Sequence, residues 1–242
     1  MRVKAIVAYD GTEYKGFQIQ KDVPTVQEEL ERVLTQLATV PIRILFAGRT
    51  DAGVHATGQV IAFDLIWQHN LGNLHRGMNA LLSEQIAIKG LEQVAEDFHP
   101  RFDAVRRSYR YKIYRAVVRN PLVGRYSLHI STELSVLAMQ KAAQSLIGIH
   151  DFGAFGTPPQ GNITVREIFD ASWQRADDWL IFDITANAFL YRMVRILVGT
   201  MLRVGSNSLT GEEFREMLRT QNRRKAGPAV AAQGLTLEAV AY

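Results

Sequence analysis

Residues 48–56 carry the side chains best suited to chemistry, because Arg49 and Asp51 stand there between two glycines and His55 follows two residues after the second. Apolar stretches on both sides predict a loop between two strands. Loops held by rigid flanking elements are where proteins commonly present catalytic groups. An ionised Asp51 could act as a nucleophile or a general base, and the charge of Arg49 two residues away would favour the ionised form.

Structural roles for the same residues are the alternative. An aspartate close to a glycine often caps a turn or a short helix, and a lone histidine such as His55 is more often a packed or surface histidine than a base. The sequence has no G-x-S-x-G motif and no histidine pair at H-E-x-x-H spacing, so neither a serine triad nor a zinc site is indicated. Because the chain has no cysteine, disulfides and thiol nucleophiles are excluded.

A second candidate region is the segment Asn187–Gly199, where apolar residues at helical spacing predict a helix over 189–204. Arg192 and Arg195 are three residues apart, so such a helix would carry both on one flank. A half-buried arginine needs an anionic partner, and Asp51 or an RNA phosphate could supply it. The alternative is that both arginines lie on a solvated helix edge.

The basic charge of the chain is concentrated. The formal net charge is +4 and the pI is about 9.4, and many arginines lie within 101–125, with tyrosines at 109, 111 and 114. Arginine donates in pairs to phosphate, and aromatic rings stack on bases, so this combination suits an RNA surface. The alternative is a strand with a solvated basic face.

The elements that must position these residues follow a plan that recurs in each half. A strand, a helix and a strand pair appear in 1–103 and again in 104–242, which predicts two domains. We expect an α/β fold of the α+β type. It would have two similar halves, each a mainly antiparallel sheet with helices on one face, and an RNA cleft between them. One expected helix begins at Thr25 and another at Thr132 or Ser135. Three more helices are expected to span 70–82, 189–204 and 209–219. The expected strands include 3–8, 85–92, 109–118, 165–174, 179–187 and 235–240.

The composition is that of a globular protein, with 47% hydrophobic and 21% charged residues. No apolar run approaches the ~18 residues of a membrane span, and the first residues enter a strand pattern without a signal peptide. We therefore expect a soluble cytoplasmic protein.

Eight motifs together carry a family resemblance. They are Tyr9–Thr12, Thr25–Gln27, Gly48–Ala56, Phe98–Phe102, Tyr109–Tyr111, His150–Phe152, Asn187–Gly199 and Gly234–Leu235. In these motifs, in their order along almost the whole chain, the sequence resembles the TruA family of tRNA pseudouridine synthases. The match over residues 48–56 is highly specific.

The resemblance implies a reaction and its partners. The family isomerises uridine to pseudouridine in the anticodon stem-loop of tRNA, at positions 38–40. The base leaves its N1–C1′ bond, rotates and rejoins through C5, with no cofactor and no metal. The resemblance also implies a homodimer that binds the tRNA anticodon arm, with no membrane partner.

The resemblance assigns roles to site residues as well. Asp51 would be the catalytic carboxylate, Arg49 would orient it, Tyr109 would stack on the target base, and Arg195 would pair with Asp51. The remaining residues would bind RNA: Arg101, Arg106, Arg107, Arg110 and Arg192. Two other functions stay open, a non-catalytic RNA-binding protein and a nucleoside hydrolase that uses Asp51 and His55.

Overall fold

The computed structural model describes residues 1–158 and 161–242, and the chain divides into two compact units. The first unit contains Met1–Val105 together with Thr236–Tyr242, and the second contains Arg106–Leu235. The first unit is therefore built from two separate stretches of sequence, whereas the pattern-based division places all of 104–242 in one domain.

The elements alternate between strands and helices in both units. The first unit has β1 (Arg2–Tyr9), α1 (Val26–Ala38), β2 (Leu45–Phe46), β3 (His55–Asp64), α2 (Leu71–Leu81) and β4 (Ile86–Val94). The second has β5 (Arg106–Arg115), β6 (Leu128–Ile130), α3 (Val136–Gln144), β7 (Gly148–Asp151), β8 (Val165–Ala176), β9 (Trp179–Ala186), α4 (Met193–Gly205) and α5 (Gly211–Thr220). The last strand is β10 (Leu235–Ala241).

The sheet of the first unit has the order β4-β1-β3-β10. Strand β1 is antiparallel to both β3 and β4, and β2 adds a short antiparallel pairing to β3. Strand β10 runs parallel to β3, with Thr236 opposite His55 and Leu237 opposite Ala56. Alternate residues of β1 are buried, so one face of this strand lies against the core.

The sheet of the second unit has the order β5-β9-β8-β7, with every pair antiparallel, and β6 runs parallel to β5. Each unit thus combines a mainly antiparallel sheet, containing one parallel pair, with helices. The predicted α+β class is confirmed.

Side-chain caps define where the helices begin, as predicted at two positions. The Thr25 hydroxyl accepts a hydrogen bond from the Glu28 N–H, and the Ser135 hydroxyl accepts from the Ala138 N–H. Such a bond satisfies an N–H that has no partner within the helix. A full capping box forms at α5, between Thr210 and Glu213.

Two predicted elements have different boundaries in the structure. Strand β5 starts three residues before the predicted 109–118. Helix α4 begins at Met193 rather than at 189, because Arg192 has a left-handed backbone with φ of 60°. Arg192 and Arg195 therefore do not share a helix flank, and that prediction is wrong. Within residues 1–158 and 161–242, no helix is long and apolar enough to cross a membrane.

Candidate active site

Residues 47–54 join β2 to β3, which confirms the predicted loop between two strands, while His55 and Ala56 already belong to β3. Asp51 is half-buried, so its carboxylate is neither sealed in the core nor fully solvated. The Asp51 carbonyl accepts a hydrogen bond from the Val54 N–H at 3.1 Å, which closes a turn directly after the aspartate.

Residues 9–17 fix the backbone on both sides of Asp51. The Phe17 N–H donates to the Thr50 carbonyl at 3.1 Å, and the Thr50 hydroxyl lies 2.7 Å from the buried hydroxyl of Tyr9. After the aspartate, the Gly53 N–H donates to the Tyr14 carbonyl at 3.4 Å. Since the loop is bonded before and after Asp51, its carboxylate is held by a preorganised backbone.

Gly11 allows the closest approach of these two segments. A Cβ built on Gly11 would lie 2.0 Å from the Val54 carbonyl oxygen, so no other residue fits without moving the loop. The Gly11 N–H also donates to Nδ1 of His55 at 3.1 Å.

His55 is buried, with 5% of its surface exposed. Oδ1 of Asp10 lies 3.1 Å from the same Nδ1 and also accepts from the Thr12 N–H and hydroxyl. His55 is therefore packed in the interior rather than on the surface.

Arg49 is exposed, and the described part of the chain gives its side chain no hydrogen bond or ion pair. Its predicted role in orienting Asp51 stays a prediction.

Tyr109 lies on β5 of the second unit and is half-buried. Its ring packs edge to face on Phe189, with centroids 5.1 Å apart and an interplanar angle of 86°. The sequence pattern treats Phe189 as part of a helix face, whereas the structure places it before α4 as the ring partner of Tyr109.

Arg195 is the third residue of α4 and is half-buried. It is held by residues 226–234, which we call the strap. Arg195 Nε donates to the Val230 carbonyl at 2.7 Å, and the Val230 N–H donates back to the Arg195 carbonyl at 3.2 Å. The first bond restricts the orientation of the guanidinium, and the second joins the strap to the backbone of α4.

Buried groups hold the strap to the second unit. The Thr200 hydroxyl accepts from the Gly227 N–H at 2.9 Å, and a Cβ on Gly199 would lie 2.0 Å from the Pro228 carbonyl oxygen. The Tyr111 hydroxyl donates to the Ala231 carbonyl at 2.8 Å. Burial raises the pKa of the Tyr111 phenol, and the charge of Arg195 opposes this effect only in part. The sequence patterns did not predict this strap. The one signal for it is the motif Gly234–Leu235, because Gly234 packs against the Tyr111 ring.

The structure distinguishes among the arginines predicted to bind RNA. Arg110 forms a two-pronged ion pair with Asp183 on β9, at 2.7 and 3.0 Å. Because a carboxylate already occupies this guanidinium, Arg110 is a weaker candidate for phosphate than its neighbours. Arg107 donates to the Asn187 carbonyl at 2.6 Å.

The other three arginines lie against aromatic rings. Arg106 is exposed, with its guanidinium carbon 4.6 Å from the centroid of the Phe169 ring. Arg101 lies 5.6 Å from the centroid of Phe102, and Arg192 lies 5.0 Å from that of Tyr191. An arginine stacked on a ring keeps donors at its edges for phosphate oxygens.

Comparison with known proteins identifies the class. The family model described as tRNA pseudouridine synthase matches residues 5–103 and 142–242. The chain belongs to the tRNA pseudouridine synthase family, which confirms the resemblance seen in the sequence.

Individual relatives carry a more specific name. The tRNA pseudouridine synthase A of Chloroflexus aurantiacus is 44% identical over 248 residues, covering 99% of this chain and 88% of the relative. The protein of the same name from Syntrophotalea carbinolica is 41% identical over 99% of this chain and 96% of the relative. That from Streptococcus pyogenes is 37% identical over 100% of this chain and 99% of the relative.

A solved structure, that of the archaeal box H/ACA sRNP Nop10–Cbf5 complex, matches 95% of this chain at 10% identity with a TM-score of 0.41. The chain spans 61% of the length of that neighbour. A similarity of this size supports no conclusion about function.

Proposed function

We propose that this chain isomerises uridines to pseudouridine at positions 38–40 in the anticodon stem-loop of tRNA, with Asp51 as the catalytic carboxylate. Isomerisation of uridine in tRNA follows from family membership across almost the whole chain. The observation that supports Asp51 is its half-buried position in a loop whose backbone is bonded on both sides.

The reaction conserves atoms and electrons. The N1–C1′ bond breaks, the uracil turns, and C5 bonds to C1′; C5 then loses a proton while N1 gains one. The target base must first leave its stack, which costs a few kcal/mol. Phosphate contacts made by arginine offset such a cost.

Three further residues complete the proposed catalytic set. Tyr109, whose half-buried ring is fixed by Phe189, is suited to stack on the uracil. Arg195, held by Val230, supplies a positive charge of fixed orientation. Arg49 is exposed beside Asp51 and would favour its ionised form.

The proposal assigns the RNA backbone to arginines 101, 106, 107 and 192, with Arg110 the weakest member of the set because of Asp183. It also includes a homodimer and a cytoplasmic location, both supported by resemblance to the family. Light scattering coupled to size exclusion would show a mass near twice 27.2 kDa.

The central experiment replaces one oxygen of the carboxylate. For Asp51→Asn we expect pseudouridine formation on an unmodified tRNA transcript to fall by roughly a thousandfold or more, while tRNA affinity stays within about twofold, since no arginine is removed. Carbodiimide labelling followed by primer extension maps the product to positions 38–40.

A matched control is Asp22→Asn in the same unit. Asp22 is exposed and has a left-handed backbone with φ of 59°, which asparagine adopts readily, so we expect wild-type activity. Normal activity in Asp51→Asn would refute the assignment. Release of free uracil by the wild type would instead indicate a nucleoside hydrolase, and binding without any product would indicate a non-catalytic RNA-binding protein.

A further inference from the structure

A concave pocket of about 310 Å³ in the second unit is lined by two arginines and, among its lining residues, by no acidic side chain. Arg192 and Arg223 come from different elements, one at the start of α4 and one in the short 3-10 helix Arg223–Lys225. The other walls are small or apolar: Ala154, Ile196 and the strap residues 226–229.

Arg192 reaches this pocket from a strained backbone. Its φ of 60° places a bulky residue in the left-handed region, which costs roughly 1–2 kcal/mol. Its exposed side chain lies against the Tyr191 ring rather than against a carboxylate. Strain of this kind persists where the surrounding structure imposes it, often at a functional site.

Arg223 lies in a short turn, and residues on both sides of it are held by hydrogen bonds. Asn222 caps the turn by accepting from the Arg224 N–H at 3.2 Å, and the Lys225 carbonyl accepts from Arg203 at 2.8 Å. The Arg223 side chain is exposed and has no ion-pair partner among residues 1–158 and 161–242. The two arginines thus line one pocket whose other lining residues carry no negative charge.

We propose that this pocket binds one backbone phosphate of the tRNA and that both arginines donate hydrogen bonds to it. The inference rests on the proposed function, because tRNA is the ligand that supplies the phosphodiester. Two arginine forks can donate to different oxygens of the same phosphate. The alanine, glycine and proline walls leave room for a sugar-phosphate chain to approach. Because Arg192 is three residues from Arg195, a phosphate bound here would also fix the nucleotide relative to that residue.

The test is a double-mutant cycle on tRNA affinity. Arg192→Asn removes the charge with a residue that tolerates the left-handed backbone, and Arg223→Ala removes the other. By fluorescence anisotropy at 0.1 M salt, we expect each single variant to weaken binding roughly 5- to 10-fold. The double variant should lose no more than about 20-fold, less than the product, because both arginines serve one phosphate.

The salt dependence gives a second readout. In the double variant, the slope of log K against log salt should fall by about 0.7 to 0.9, the value for one phosphate contact. Arg224→Ala is the matched control, since it removes the adjacent positive charge outside the pocket, and we expect a change below about twofold. Arg192→Lys should recover only part of the affinity, because it restores charge without the planar fork.

Three outcomes would overturn the inference. If the two fold-losses in affinity multiply in the double variant, and its salt slope falls by twice 0.7 to 0.9, the arginines contact two separate phosphates. If the two single variants and the double variant bind tRNA as tightly as Arg224→Ala does, the pocket contacts no RNA. Saturable binding of inorganic phosphate below about 1 mM that is lost in the double variant, with unchanged tRNA affinity, would assign the pocket to a free anion. None of these depends on Asp51→Asn, so failure of the pocket and failure of the proposed catalysis are distinguishable.

Discussion

The loop that carries Asp51 and the strap that holds Arg195 are fixed in place by different kinds of contact. Two backbone bonds tie the loop to residues 9–17, and the side chains of Thr50 and His55 add one bond each. The strap is held mainly by side chains, through the hydroxyls of Thr200 and Tyr111 and the guanidinium of Arg195. Glycines leave the space for close backbone approach in both regions. The regions differ in their buried hydroxyls, because those of Thr200 and Tyr111 bond directly to the strap backbone, whereas that of Thr50 bonds to the hydroxyl of Tyr9.

Filling the space beside these glycines should have the largest effect on the free energy of unfolding. Gly11→Ala would place a methyl group 2.0 Å from the Val54 carbonyl oxygen, and Gly199→Ala would do the same at Pro228. Because backbone must move in both cases, we expect losses of about 3 kcal/mol or more in the free energy of unfolding. Urea unfolding measures both.

Gly48→Ala is the control within the loop, because no atom lies within 4 Å of the added methyl group. Its stability should stay within about 0.5 kcal/mol of the wild type. If Gly11→Ala were equally stable, the close packing of the two segments would not be what holds the Asp51 loop.

Removing one buried hydroxyl should have an intermediate effect, larger in the strap than in the loop. Thr200→Val leaves the Gly227 N–H without its acceptor in a fully buried site, which costs about 1–3 kcal/mol. Thr50→Val removes a single bond to Tyr9 and should cost about 1 kcal/mol. Equal losses in the two variants would contradict the distinction between the regions.

The phenol of Tyr111 makes the strap sensitive to alkaline pH. Burial raises its pKa in the folded protein, so its contribution is complete below the unfolded pKa, near 10, and declines as the pH rises further. We expect Tyr111→Phe to lose about 1 kcal/mol at pH 8 and to show a shallower decline than the wild type above pH 10. Urea midpoints measured from pH 8 to 11.5 test this, and parallel curves would exclude the phenol as the titrating group.

The smallest effect is expected in α1, whose first N–H groups bond to residues 16 and 17 behind the loop. Arg32 donates to Glu29 and lowers the pKa of that carboxyl. The stabilisation is therefore present above the unfolded pKa and is lost as the pH falls through the lower, folded value. Glu29→Gln should cost about 0.3–0.5 kcal/mol at pH 7 and less at pH 3, as thermal unfolding at the two pH values would show.

The sequence predicted elements whose signal is local. Thr25 and Ser135 are cap residues with a partner three positions on, and the loop of Asp51 stands between two apolar runs; all three were located correctly. The family was also predicted, because its motifs are long and occur in order.

The features that the sequence did not predict depend on contacts between residues distant in the chain. The apolar pattern runs on through Phe189, but that ring packs on Tyr109, and the helix starts only after the left-handed Arg192. The pairing of Arg110 with Asp183 and the strap over α4 join residues far apart in the chain. No periodicity in the sequence encodes such pairs, so the environment of Arg195 could not be predicted.

The parallel pairing of β10 with β3 has a consequence for synthesis. Thr57 donates to the carbonyl of Glu238, which lies 181 residues further along the chain. A ribosome must therefore translate the entire second unit before the strand that covers this side of β3 exists. A fragment ending at Val105 would leave that edge of β3 open to pairing with other chains, so we expect the nascent chain to depend on rapid completion or on chaperones to avoid aggregation.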